Sequence, residues 1–150
     1  MRVVIQRVKE ASVSVQGVKI SEIQKGLLIL VGVETQDNQQ DIDWLVAKVA
    51  KLRIFEDPLG AMNVSLQDID ADVIVVSQFT LHASTKKGNR PSFIKAAKPE
   101  VAIPLYQEFV DSLEKQLDKK IQTGQFGAMM DVALINDGPV TITIDSKNKE

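Results

Sequence analysis

Val73-Ile74-Val75-Val76-Ser77-Gln78-Phe79-Thr80-Leu81 is an apolar run that passes without a break into small, amide-bearing and hydroxyl-bearing residues. Its β-branched half reads as a buried strand. The end of such a strand is a place where backbone groups are held rigidly enough to act on a ligand. Period-two geometry extends the strand through Leu81, with Ser77, Phe79 and Leu81 on one face and Gln78, Thr80 and His82 on the other. A second run, Gly26-Leu27-Leu28-Ile29-Leu30-Val31, is too short and too continuous for anything but a doubly buried strand. Two such strands imply an extensive sheet.

Working outward, residues 2–16 alternate as a strand, and Gly17 offers a turn into Val18-Lys19-Ile20, so a hairpin is expected. Ile42, Leu45, Val46, Val49 and Leu52 recur at the spacing of one helical face, with Trp44 to its side and Asp37 or Asn38 as cap. Arg53 to Glu56 returns to strand before Pro58-Leu59-Gly60 breaks it. Pro99 opens a second long helix, with Ala102, Leu105, Phe109, Leu113 and Leu117 along its apolar face. Met130 to Ile135 and Val140 to Asp145 read as two closing strands joined by a tight Asn136-Asp137-Gly138-Pro139 turn. The pattern gives an α+β (mixed α/β) fold: two curled β-sheets forming a barrel-like core with flanking helices.

A chain of 150 residues, 44% hydrophobic and 25% charged, has the size of one globular domain, so residues 1–150 are expected to form a single domain. The absence of cysteine removes disulfides, thiolate metal sites and a cysteine nucleophile. His82, the only histidine, leaves no two-histidine metal site, and no metal or other cofactor is expected. No apolar stretch approaches a membrane span, and Met1 leads straight into a strand pattern, not a signal core. A cytoplasmic protein without membrane attachment is the expectation. The formal charge of −2 argues against indiscriminate nucleic-acid binding, yet Ser84 to Pro99 holds no acidic residue while carrying Lys86, Lys87, Arg90, Lys95 and Lys98. Such a strip suits contact with a few phosphates, or is simply a solvated loop.

Several constellations invite a chemical reading. Thr80 and His82 on one strand face suggest a hydroxyl–imidazole dyad, but no nucleophile elbow and no orienting acid accompany them. A partly exposed histidine at a strand end is the plainer reading. Asp68, Asp70 and Asp72 alternate as a solvated turn and lack the glycine and terminal glutamate of a calcium loop. Gly124-Gln125-Phe126-Gly127 lacks the lysine and hydroxyl of a phosphate-binding loop. Gly138-Pro139 between apolar strands is either an ordinary hairpin turn or a cis peptide.

Ser77-Gln78-Phe79-Thr80-Leu81 and Asn136-Asp137-Gly138-Pro139-Val140-Thr141 resemble the signature segments of D-aminoacyl-tRNA deacylases. The likeness continues through Met1-Arg2-Val3-Val4-Ile5-Gln6-Arg7-Val8, Leu52-Arg53-Ile54-Phe55, Lys87-Gly88-Asn89-Arg90-Pro91-Ser92-Phe93 and Gly124 to Met129, nearly the whole chain. The resemblance implies a deacylase-like fold and hydrolysis of the ester of D-aminoacyl-tRNA, with glycyl-tRNA as a further substrate. Such an enzyme proofreads chirality in translation by rejecting L-aminoacyl substrates. It places catalysis on Ser77, Gln78, Phe79 and Thr80, with the Phe79 amide polarising the ester carbonyl. Either Thr80 or a water assisted by the ribose 2′-hydroxyl is then the nucleophile, and the lack of an activating base favours water. Gly138 and Pro139, through a cis peptide, would capture the substrate ammonium group and exclude L substituents from the pocket of the partner subunit in a homodimer. Ala102 would offer a carbonyl, Met130 would meet the terminal adenosine, and Lys86, Lys87 and Arg90 would contact tRNA. Ala61, where the family often has lysine, and His82 depart from the pattern. Two rivals remain: an RNA-binding module without turnover, and a related editing enzyme whose Gly-Pro turn faces outward.

Overall fold

The computed structural model describes residues 1–150. Its central element is β1 (Arg2–Val15), which carries partners along both edges. One edge is shared by β2 (Val18–Ile23) and β3 (Gly26–Gly32), both antiparallel. The β1–β2 link is a two-residue turn in which Gln16 and Gly17 take φ of 50° and 77°, the doubly left-handed turn whose twist matches that of a hairpin. β3 is buried at every residue but Leu30 and pairs in parallel with β6 (Asp72–Ser77).

Parallel pairing demands a crossover. Here it consists of α1 (Gln39–Lys51) and a small second sheet of β4 (Arg53–Glu56) and β5 (Met62–Ser65). Asn38 caps α1, its side chain accepting from Gln40 N while Asp41 accepts from the Asn38 N–H, so the first turn is satisfied from both ends. α2 (Pro99–Leu117) starts on proline, where no N–H is needed, and ends on Asp118 in the left-handed region at φ 50°. Pro104 lies inside this helix without ending it. Both helices cover one face of the main sheet, burying Ile42, Leu45 and Val49 of α1 and Phe109 and Leu113 of α2 against Val3, Ile5, Leu27, Ile29 and Val75. A short β7 (Gln122–Thr123) extends the sheet beyond β6.

The C-terminal segment departs from the expected hairpin. Residues 131–145 form one continuous strand, β8 (Asp131–Asp145), running antiparallel along the other edge of β1. Asn136 pairs with Val8 and Thr141 with Gln6, so Asp137 to Val140 stand as a bulge opposite Arg7. The turn signal of Asn-Asp-Gly-Pro is real, but it lifts residues out of a strand and does not reverse the chain. The register shift also changes which residues of β1 face inward. Val3 and Ile5 join the helix-covered core, whereas Val8, Ala11 and Val13 join a second cluster with Ile23, Leu28, Ile74 and Val76, under Met130, Val132 and Leu134. This change of face gives the sheet its barrel-like curl.

Candidate active site

β6 ends at Ser77, and the strand expected to continue through Leu81 does not. Gln78 N donates to Val31 O at 2.7 Å, the last link to β3, and the backbone then leaves the extended region at Gln78, φ −147° and ψ 82°. Phe79–His82 form one turn of 3₁₀ helix. As its first residue, Phe79 keeps its amide N–H outside the turn's own hydrogen bonding. The turn also undoes the expected face sharing: Thr80 is exposed, whereas His82 is buried, not partly exposed. Thr80 Oγ1 accepts from the Gln78 side-chain amide, and His82 Nε2 lies 3.1 Å from Gly32 O. Bonded to different partners, one exposed and the other buried, the two side chains do not form a dyad in this arrangement.

Beside the turn opens a cavity of about 670 Å³. Ser77, Gln78 and Phe79 form its rim, Ala102 and Tyr106 of α2 one wall, and Phe126, Met129 and Met130 another. The Phe79 ring stands edge-on to Phe93 with centroids 5.0 Å apart. Tyr106 OH donates to Val75 O at 2.9 Å, and burial pushes its phenol up to about 12, so it serves as a donor to the sheet and not as a base. At Gly124 a Cβ would stand 2.6 Å from Met130 Sδ, so any larger residue would displace that side chain, whose sulfur also accepts from Gln125 N at 3.4 Å. The glycine-rich segment is thus a pocket wall. Lys98 and Tyr106 are the only ionisable side chains lining the cavity. With no carboxylate or imidazole there, the polar groups the cavity offers are chiefly backbone amides, a hydroxyl and the Gln78 amide.

The structure therefore brings Ser77, Gln78, Phe79, Ala102 and Met130 together, with Thr80 one residue beyond the lining. Lys86, Lys87 and Arg90 are exposed on a loop pinned at its base by Ser84 and Ser92, which exchange backbone hydrogen bonds of 2.8 and 2.9 Å. The same loop sends Phe93, Ala96, Ala97 and Lys98 to the cavity, so the basic strip adjoins its mouth. Gly138 and Pro139 lie elsewhere: both are exposed, neither lines this cavity, and the peptide bond between them is cis. Arg7 organises their bulge. Its guanidinium, 5% exposed as a residue, donates from Nε to Asp137 O at 3.0 Å and from Nη1 to Ile54 O at 2.7 Å. Asp137 Oδ2 at 3.3 Å supplies an ion pair. Sequence reasoning gave Arg7 no role of its own; the available signal was a guanidinium inside an apolar alternation, which must be paired if buried. Tyr106, the single tyrosine, was equally overlooked on its helix face.

A curled sheet whose buried parallel pair delivers a tight turn to the mouth of an apolar cavity defines a compact α+β enzyme. The family described as D-Tyr-tRNA(Tyr) deacylase matches residues 4–145. A D-aminoacyl-tRNA deacylase of Flavobacterium johnsoniae is 68% identical over 150 residues, covering all of both chains, and one of Bacteroides fragilis is 61% identical with the same coverage. Among solved structures, a c-Myc DNA unwinding element binding protein superposes with a TM-score of 0.91 at 40% identity, over 97% of this chain and 98% of that one. A probable eukaryotic D-amino acid tRNA deacylase shares the fold, with a TM-score of 0.81 at 17% identity, over 95% of this chain and 97% of that one. The chain belongs to the D-Tyr-tRNA(Tyr) deacylase family.

Proposed function

We propose that this chain, working as one domain, hydrolyses the ester joining a D-amino acid to the 3′-terminal ribose of tRNA, releasing the amino acid and reusable tRNA. The observation that carries this reading is the cavity itself: Ser77, Gln78 and Phe79 at the rim, Ala102 and Met130 in the walls, and no acid–base side chain suited to attack. The Phe79 amide polarises the ester carbonyl and holds developing oxyanion charge, with Ser77 and Gln78 supporting the segment. Thr80, exposed and with its hydroxyl bonded only to the Gln78 amide, has no base to activate it. Water is therefore the nucleophile, assisted by the ribose 2′-hydroxyl that the substrate brings. Ala102 offers a backbone carbonyl to the ammonium group, and Met130 meets the terminal adenosine.

Chiral selection is assigned to Gly138 and Pro139 of a second copy. Their exposure on a bulge braced by Arg7, away from the chain's own cavity, supports insertion into the partner's site in a homodimer. Their carbonyls accept from the ammonium group and collide with any L substituent, so D residues and achiral glycine pass. Lys86, Lys87 and Arg90 hold phosphates of the acceptor end. No helix is long and apolar enough to cross a membrane, and acting on tRNA assigns the enzyme to the cytoplasm in this reading. Incubating purified protein with D-tyrosyl-tRNA should release D-tyrosine and intact tRNA; tRNA binding without turnover would instead support a non-enzymatic RNA-binding module.

A further inference from the structure

His82 is the only imidazole in the chain and is 2% exposed. Its Nε2 faces Gly32 O, which can only accept, so in the neutral ring the proton sits on Nε2 and Nδ1 is a bare lone pair. Nδ1 is also the one buried side-chain nitrogen or oxygen without a hydrogen-bond partner. What stands opposite is a second acceptor, Glu34 Oε2, at 3.8 Å. The two acceptors, one buried and one on a side chain 19% exposed, lie beyond hydrogen-bond distance, and one proton between them would convert the contact into a charge-assisted pair.

The ring also closes the turn that Phe79 begins. A Cβ on Gly32 would stand 3.1 Å from His82 Cδ2 and 3.0 Å from both Gln78 O and Leu81 Cβ, so the turn is seated directly on the end of β3. From β1, Arg2 Nη1 donates to Leu81 O at 3.0 Å while its Nε pairs with Asp145. On the far side Glu34 reaches the field of Lys147, which pairs with Asp41. Glu34 is the carboxylate beside the ring and Arg2 holds the turn at Leu81; Asp37, which accepts from Glu34 N at 2.8 Å and pairs with the Met1 ammonium, joins Asp145 and Lys147 behind them.

We propose that His82 is a positioning residue, clamping the Phe79–His82 turn to the end of β3 through a proton held between Nδ1 and Glu34, and so aiming the Phe79 amide at the substrate ester. The proton comes from solvent and is not passed to substrate. This rests on the assignment of that amide above.

Because the chain has one histidine, its imidazole nitrogen and proton resonances are unambiguous, and they can be followed beside single-turnover deacylation of D-tyrosyl-tRNA in a pH series. In the wild type Nδ1 should carry a proton where the single-turnover rate is highest, and the pH profile of that rate should differ from that of Glu34→Gln. Glu34→Gln offers its amide N–H to the bare Nδ1, so no proton should appear on Nδ1 in that variant. His82→Ala should lower the single-turnover rate about two- to tenfold, the net value of one hydrogen bond, with tRNA affinity unchanged. An Nδ1 that never gains a proton, parallel pH profiles, or an unaltered His82→Ala rate would overturn the proposal. Should His82→Ala not fold, Glu34→Gln decides, since the backbone links of Glu34 to Asp37 and Ala96 survive that change. A wild type inactive on D-tyrosyl-tRNA overturns the proposed function itself, whereas an active wild type with parallel profiles overturns only the role of His82.

Discussion

In the proposed mechanism Phe79 acts through its backbone more than through its ring. Proline at the first position of a 3₁₀ or α turn keeps the local backbone angle while deleting the N–H. Phe79→Pro should therefore lower the single-turnover rate by about 10²–10³-fold, the usual loss for one oxyanion donor, with tRNA binding retained. Phe79→Leu, which keeps the amide, should lose far less. A residue-scale prediction for stability concerns Asp41. Burial pushes its carboxyl up, but hydrogen bonds from Lys147, Ser146 and Asn38 N–H outweigh that and bring it down to about 2. A folded-state value below the unfolded one means the contribution is present above about pH 4 and lost as pH falls through about 2. The stability difference between wild type and Asp41→Asn, followed by chemical denaturation, should shrink across that interval.

At the scale of elements, the β3–β6 contact depends on Gly26, since a Cβ there would collide with the Asp72 backbone. Gly26→Ala should cost about 1–3 kcal/mol or more in chemical denaturation, as overpacking between paired strands does. The loop from Ser84 to Ser92 carries a separate prediction. Neutralising Lys86, Lys87 and Arg90 together should weaken tRNA binding and reduce the slope of log affinity against log salt by about 2; an unchanged slope assigns them to a solvated loop. β3 and α1 were legible because continuous burial and a helical stripe are local properties, visible in Leu27 to Val31 and in Ile42, Leu45 and Val49. The turn at Phe79 was not. Ser-Gln-Phe-Thr-Leu-His mimics strand alternation, and what bends it is the seat of His82 on Gly32, 50 residues away in sequence. Likewise Asn136 to Pro139 reads as a reversal, while the strand is kept running by pairing with β1, and its bulge is braced by Arg7, 130 residues distant.

On the scale of the whole molecule, the Gly138-Pro139 bulge does not line its own chain's cavity, so the proposed chiral selection needs two copies. In the proposed homodimer, a two-fold interface would offer each turn to the other's cavity, giving two equivalent sites. Phe79→Pro and Pro139→Ala should each be impaired alone. Mixed and allowed to exchange subunits, they should regain part of the activity, because one heterodimer site combines an intact rim with an intact turn. No recovery despite verified heterodimers would mean that each cavity uses its own turn. The most direct test of the central claim is the single-turnover rate on D-tyrosyl-tRNA against that on L-tyrosyl-tRNA at saturating wild-type protein. A site that excludes L substituents by a backbone collision should favour the D ester by about 10²-fold or more. Equal rates on the two enantiomers would contradict it.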